Sequence, residues 1–158
     1  MMSSNHTFLR LITHVEQLLA SSVAQDEKLA ALCTLLKDSV PYYNWVGIYL
    51  LDAQTRNDLV LGPFTGTPTE HSRIPFGAGV CGQAAVRQKT MIVPDVRKEH
   101  YYLSCSPLVK AEIVVPIRFA GTLQGVLDID SHEPAPFTDA DRAFLERVCA
   151  LIARLLVG

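Results

Sequence analysis

Apolar residues Phe8, Leu11, Ile12, Val15, Leu18 and Leu19 recur at three- and four-residue intervals, and Leu29, Leu32, Cys33, Leu36 and Val40 repeat the pattern after "SSVAQDEK". That period predicts two amphipathic helices, the second ended by Pro41. The pattern then changes. "YNWVGIYLLD", "DLVLGPF" and "SRIPF" are short runs rich in aromatic and β-branched residues, separated by "AQTRN" and "TGTPTE", and each predicts a strand. "VCGQAAVRQK" predicts a short helix and "TMIVPDV" another strand. Residues 95–111 show no period and are expected to form an ordered loop with one or two helical turns. "EIVVPIRF" and "TLQGVLDID" predict two more strands, joined across Ala120 and Gly121. "TDADRAFLERVCALIARLL" predicts a long closing helix, with Thr138 as N-cap and Asp141 completing a capping box. Together these elements predict one α+β domain over residues 1–158. Its sheet is six-stranded and mostly antiparallel, with the N- and C-terminal helices packed on one face.

Strand alternation sorts the chemistry by face. Leu127 and Ile129 fall on one side of their strand; Val126, Asp128 and Asp130 fall on the other. In the preceding strand Ile113, Val115, Ile117 and Phe119 share a face opposite Glu112, Val114, Pro116 and Arg118. The apolar sets should face the helices, which places Glu112 beside the two aspartates. A three-residue loop, Phe119-Ala120-Gly121, pairs Arg118 with Thr122 and so sets Glu112 opposite Asp128. Asp130 follows about 7 Å along the strand. Three carboxylates so arranged need a cation among them, or a proton held between them. The alternative is an exposed acidic sheet face without function. Lys110 and Arg118 are the basic residues close to the cluster in sequence.

Composition narrows the class. With 49% hydrophobic residues the chain is a folded globular protein. A net charge of −2 and no Lys/Arg cluster exclude a nucleic-acid footprint. No apolar run is long enough to span a membrane. The opening "MMSSNHTFLR" lacks the features of a secretory signal, so a cytoplasmic location with reduced thiols is expected.

Of the four cysteines, Cys33 and Cys149 lie on helical apolar stripes and read as inert core thiols. Cys81, in "GAGVCGQAA", sits at a glycine-rich helix start, where the dipole lowers a thiol pKa and N–H groups attract anions. Cys105, in "YYLSCSPL", is a loop cysteine. Cysteine and histidine spacing fits no metal site, "GAGVCGQ" lacks the residues of a phosphate-binding loop, and no Ser/His/Asp arrangement is present.

The strings "NWVGIYLL", "LVLGPFTG", "RIPFGAGVCG", "VPDV", "EIVVPI" and "GVLDIDS", in this order, resemble the free methionine-(R)-sulfoxide reductases, small enzymes with the GAF fold. The resemblance runs from about residue 43 to 142. Its most specific element is a cysteine seven residues before the "EIVVP" glutamate, combined with "RIPFGAGVCG". It implies a GAF-like fold and reduction of free methionine sulfoxide. Cys105 takes the place of the catalytic cysteine and Cys81 that of the "GVCG" cysteine. Glu112, Asp128 and Asp130 match the acids of the substrate pocket, and Trp45 and Tyr49 the aromatic pair at the sulfoxide methyl end. No tightly bound cofactor is implied; an external dithiol reductant such as thioredoxin is the expected partner. A free amino acid would bring the missing ammonium group, and Glu112 is assigned as proton donor to the sulfoxide oxygen.

The resemblance departs at three places. His71 stands where the family commonly has a further cysteine, ten residues before Cys81, which leaves the resolving thiol open between Cys81 and an external thiol. Ser106 and Ala111 replace the usual Asp after the cysteine and Ser before the glutamate, and "RKEHYYLSCS" is unusually aromatic. Two other readings stand beside the enzyme. One is a non-catalytic GAF sensor of a small ligand. The other is a Mg²⁺ or Ca²⁺ site at Glu112, Asp128 and Asp130. The apolar stripes of the terminal helices either pair between subunits in a two-fold dimer or are satisfied by the sheet.

Overall fold

Both helical periods fold as predicted in the computed structural model, which describes residues 4–100, 102–103 and 106–158. Helix α1 spans Ser4–Leu19 and α2 Gln25–Ser39. Strands β1 (Trp45–Leu51), β2 (Asp58–Thr65) and β3 (Arg73–Pro75) follow. Then come α3 (Gly79–Arg87), β4 (Met91–Val93) and a single 3₁₀ turn at Val96–Lys98. The chain continues through β5 (Ala111–Phe119), β6 (Thr122–Ser131) and α4 (Asp139–Val157). The strands form one sheet in the order β3-β2-β1-β6-β5-β4, and every neighbouring pair is antiparallel. No described helix is long and apolar enough to cross a membrane.

The sheet separates two cores. On one face α2 and α4 pack on Val46, Ile48, Ile113, Val115, Leu127 and Ile129, and α1 packs on α2 and α4. The stripes of α1 and α4 meet there within one chain, Phe8 stacking on Phe144 with ring centroids 4.5 Å apart. The opposite face carries a smaller core that includes Trp45, Tyr49, Val114 and Val126, with α3 lying against β5 and β6. Alternation therefore sends the apolar side chains of β5 and β6 toward the terminal helices, as expected, and Glu112, Asp128 and Asp130 toward α3.

The hairpin register differs from the expected one. Phe119 pairs with Thr122, so the turn is the two-residue Ala120-Gly121, both with positive φ (50° and 82°), as a tight hairpin turn of type I′ requires. Parity is restored two residues on, where Arg118 pairs with Leu123 but Ile117 pairs with Gly125, leaving Gln124 as the extra residue of a bulge. Glu112 is thus opposite Asp130, and Asp128 is opposite Val114. The shift is two residues, so every face is preserved.

At the start of α4 the capping box forms as predicted. Asp141 is fully buried and well supplied with donors. Its Oδ2 accepts from Thr138 N at 2.8 Å and Thr138 Oγ1 at 3.0 Å, its Oδ1 from the Tyr42 and Tyr43 hydroxyls at 2.8 and 2.7 Å. It shows what a satisfied buried carboxylate looks like in this protein.

Candidate active site

Because β6 lies between β1 and β5, residues distant in sequence line up across three strands. Trp45, Asp130 and Glu112 form one row; Gly47, Asp128 and Val114 form the next. Tyr49 follows on β1 opposite Val126. Helix α3 lays Cys81 over these rows. Trp45, Tyr49, Cys81, Glu112, Asp128 and Asp130 are all buried, and the structure brings the six together. Cys105 lies outside the described residues.

The two aspartates differ sharply from Asp141. Asp128 is 2% and Asp130 1% exposed, yet Asp128 Oδ1 and both oxygens of Asp130 have no hydrogen-bond partner. Lys110 and Arg118, close in sequence, are both exposed. The ion pairs among described residues lie elsewhere, at Arg73, Arg97 and Arg147. Burial pushes the Asp130 carboxyl well above its ordinary range and the charge of Asp128 pushes it further, while Glu112 opposes the shift. Asp128 is also raised by burial, with Glu112 and the Cys81 thiol opposing. Two carboxyl groups share a hydrogen bond only when one keeps its proton. The cluster therefore holds a proton, or it waits for a cation.

Cys81 departs from its expected behaviour. Burial pushes its thiol pKa well above normal, and Asp128, Glu112 and Asp130 add to the rise. A helix start offers about half a positive charge; a dry site beside three carboxyl groups outweighs it. Cys33 and Cys149 are buried core thiols as expected, with burial raising Cys33 to about 12 and Cys149 higher still.

The aromatic wall is held from behind by features that strand pattern alone did not reveal. Trp45 Nε1 donates to Thr67 O at 2.8 Å, and the Tyr49 hydroxyl donates to His71 O at 2.9 Å. Phe64 stacks on Trp45 at 5.6 Å, and the Trp45 and Tyr49 rings are 6.5 Å apart. The indole occupies space that Gly47 and Gly66 leave open: a Cβ at either would stand 2.2 or 2.6 Å from its ring atoms. A glycine in mid-strand marks such a close approach, and Gly47, which pairs with Phe64, was the available signal. Gly47→Ala is expected to displace the indole and destabilise the fold by about 1–3 kcal/mol. Trp45 is the chain's one tryptophan, so its emission reads the displacement directly. An alanine variant with parental emission and parental melting would show the contact to be loose.

Two small cavities flank the carboxylates. One, of about 10 Å³, is lined by Tyr49, His71, Cys81, Leu103, Glu112 and Asp128. The other, of about 30 Å³, touches Asn44, Trp45, Thr67, Asp130 and His132. The first is about the size that takes one water or one ion. Around it, Cys81 Sγ and one carboxylate oxygen each of Glu112 and Asp128 lie within 4.8 Å of one another, the spacing from which a metal could be held.

Comparison with known proteins gives three concordant results. A family model for the GAF domain matches residues 17–156. GAF domain-containing protein A of Dictyostelium discoideum is 40% identical over 150 residues, covering 95% of this chain and 92% of the relative. The free methionine-R-sulfoxide reductase of Escherichia coli is 38% identical over 128 residues, 81% of this chain and 75% of the relative. Among solved structures, the free methionine-R-sulfoxide reductase of Neisseria meningitidis, in complex with its substrate, superposes with a TM-score of 0.92 at 33% identity, covering 99% of this chain and 92% of that one.

Proposed function

The chain belongs to the GAF-domain family of free methionine-R-sulfoxide reductases, and from that membership we propose that it reduces free methionine (R)-sulfoxide to methionine. The observation that carries the reading is the pair of buried aspartates with three partnerless oxygens between them, beside an aromatic wall. A zwitterionic amino acid supplies what they lack, an ammonium group with several N–H donors. Burial keeps the charges of Asp128 and Asp130 costly until such a group arrives, so the site favours a cationic ligand end. The first N–H groups of α3, at Gly79 and Val80 on the cavity wall, suit the substrate carboxylate. Trp45 and Tyr49 offer polarisable faces to the methyl sulfoxide end. Leu103 lines the cavity, and a ligand of this size would require it to withdraw.

In the proposed reaction the Cys105 thiolate attacks the sulfoxide sulfur while Glu112 delivers a proton to the oxygen. The sulfur–sulfur bond so formed and the S–O bond of the sulfoxide both break as oxygen passes to Cys105, so sulfoxide and thiol become thioether and sulfenic acid, with no electrons left over. A second thiol condenses with the sulfenic acid, releasing water and forming a disulfide. A dithiol reductant of the thioredoxin kind then returns both thiols. The surroundings of Cys81 oppose its ionisation, which supports a resolving thiol from outside the chain while the site is closed.

A thioredoxin-coupled assay following NADPH tests this. Free methionine (R)-sulfoxide is expected to turn over, with the (S) epimer and a peptide-bound sulfoxide at background. Consumption on the peptide alone would overturn the reading, because a site that grips ammonium and carboxylate has no room for chain extensions.

A further inference from the structure

We propose that Cys81, Glu112 and Asp128 form an ion-sized site for a thiophilic divalent cation of the Zn²⁺ class, which occupies the closed pocket in place of substrate. Three elements contribute: α3 the sulfur, β5 and β6 one carboxylate each. Their ligand atoms already lie within 4.8 Å of one another, and the cavity they line holds about 10 Å³, too little for an amino acid. Zn–S and Zn–O bonds of about 2.3 and 2.1 Å place ligand atoms roughly 3.5 Å apart around one ion, so small side-chain rotations complete the contact. Asp128 is 2% exposed, lines this cavity and has an oxygen without any partner; Asp130 beside it has two. A divalent ion would answer that deficit as fully as an ammonium does.

The donor set selects the metal. One sulfur with two carboxylate oxygens suits a borderline cation and disfavours Mg²⁺ and Ca²⁺, which prefer oxygen alone. Binding breaks the S–H bond of Cys81 and releases that proton, with any proton shared by the carboxyl groups, to solvent; no electrons move. The thiol that resists ionisation in the free site is thereby held as a metal-bound thiolate. Metal binding itself is independent of the proposed reaction. Its consequence, competition with methionine sulfoxide for Glu112 and Asp128, rests on the reductase reading.

Titration of reduced Cys105→Ser protein with Co²⁺ tests the site without interference from the other proposed reactive thiol. The expected result is a single equivalent with the intense visible bands of a four-coordinate ion and a near-ultraviolet thiolate-to-cobalt band. Zn²⁺ should bleach both, and Mg²⁺ in large excess should bleach neither. Adding Cys81→Ser, or Cys81→Ala should the serine variant not fold, removes the charge-transfer band. Asp128→Asn on the same background weakens Co²⁺ binding by about tenfold or more. A thiolate band that survives Cys81 replacement, no band in the Cys105→Ser parent, or equal displacement by Mg²⁺ would each overturn the proposal. In the unsubstituted protein, Zn²⁺ is expected to raise the apparent KM for methionine sulfoxide with kcat unchanged, reversibly by chelator. A protein without sulfoxide turnover would sink the reductase reading and leave the cobalt result standing.

Discussion

Asp130→Asn is expected to stabilise the protein at neutral pH while disabling it. Asp130 is buried with two donor-less oxygens, and its carboxyl is raised well above the ordinary range by burial and then by Asp128. The folded state therefore prefers the protonated acid. Its contribution to stability is fully present below the unfolded carboxyl pKa of about 4 and is lost as pH rises through the higher folded value. The parent protein should lose stability from acid toward neutral pH, whereas the asparagine variant, having no charge to bury, should show a flatter profile. At pH 7 the variant should be about 1–3 kcal/mol more stable, at roughly 2–4 °C of Tm per kcal/mol. The two melting curves should converge in acid. Activity moves the other way: losing a buried partner for the substrate ammonium costs about 2–5 kcal/mol in kcat/KM. Melting temperatures at a series of pH values, with turnover at each, check both halves. An asparagine variant less stable than its parent at pH 7 would mean that Asp130 has a structural counter-charge.

Cys105→Ser separates an enzyme from a binding module. If Cys105 is the nucleophile, serine should cut turnover by about four orders of magnitude or more, because oxygen at that position neither ionises nor accepts the sulfoxide oxygen. The three described cysteines offer no relief. Cys33, Cys81 and Cys149 are buried, and burial raises the pKa of each. Binding should persist, since the acids and aromatic wall are untouched, and the emission of Trp45 should still respond to methionine sulfoxide. In the parent protein, one equivalent of sulfoxide without reductant should leave a sulfenic acid on residue 105 that a cyclic-diketone label captures. Equal turnover in the serine variant, or ligand binding by the parent without any thiol oxidation, would replace the enzyme with a sensor that borrows the same pocket.

What alternation and period determine is local, and those parts of the protein were legible. The 3.6-residue repeats of α1, α2 and α4 and the Thr138–Asp141 capping box depend on neighbours within a turn or two. The two-residue period of β5 and β6 separated Ile113, Leu127 and Ile129 from Glu112, Asp128 and Asp130, because a strand cannot put adjacent side chains on one face. Even a wrong turn left these faces intact: the expected and observed registers differ by two residues, and parity protects the face when it does not protect the partner.

Contacts set by distance through space were decided only on folding. Trp45 meets Asp130 because β6 is inserted between β1 and β5, an adjacency that no short-range pattern encodes. The two-residue turn and the bulge at Gln124 each shifted the register by one and together moved Glu112 from Asp128 to Asp130, since one unpaired residue is invisible to a period of two until the partner strand is present. Phe64, and the carbonyls of Thr67 and His71 that latch the aromatic wall, belong to a strand and loop brought alongside by the β1–β2 pairing. The thiol of Cys81 shows the difference most plainly. Its place at a glycine-rich helix start promises a lowered pKa, but ionisation depends on water and on charges within a few ångströms, and tertiary packing removed the first and supplied three carboxyl groups as the second.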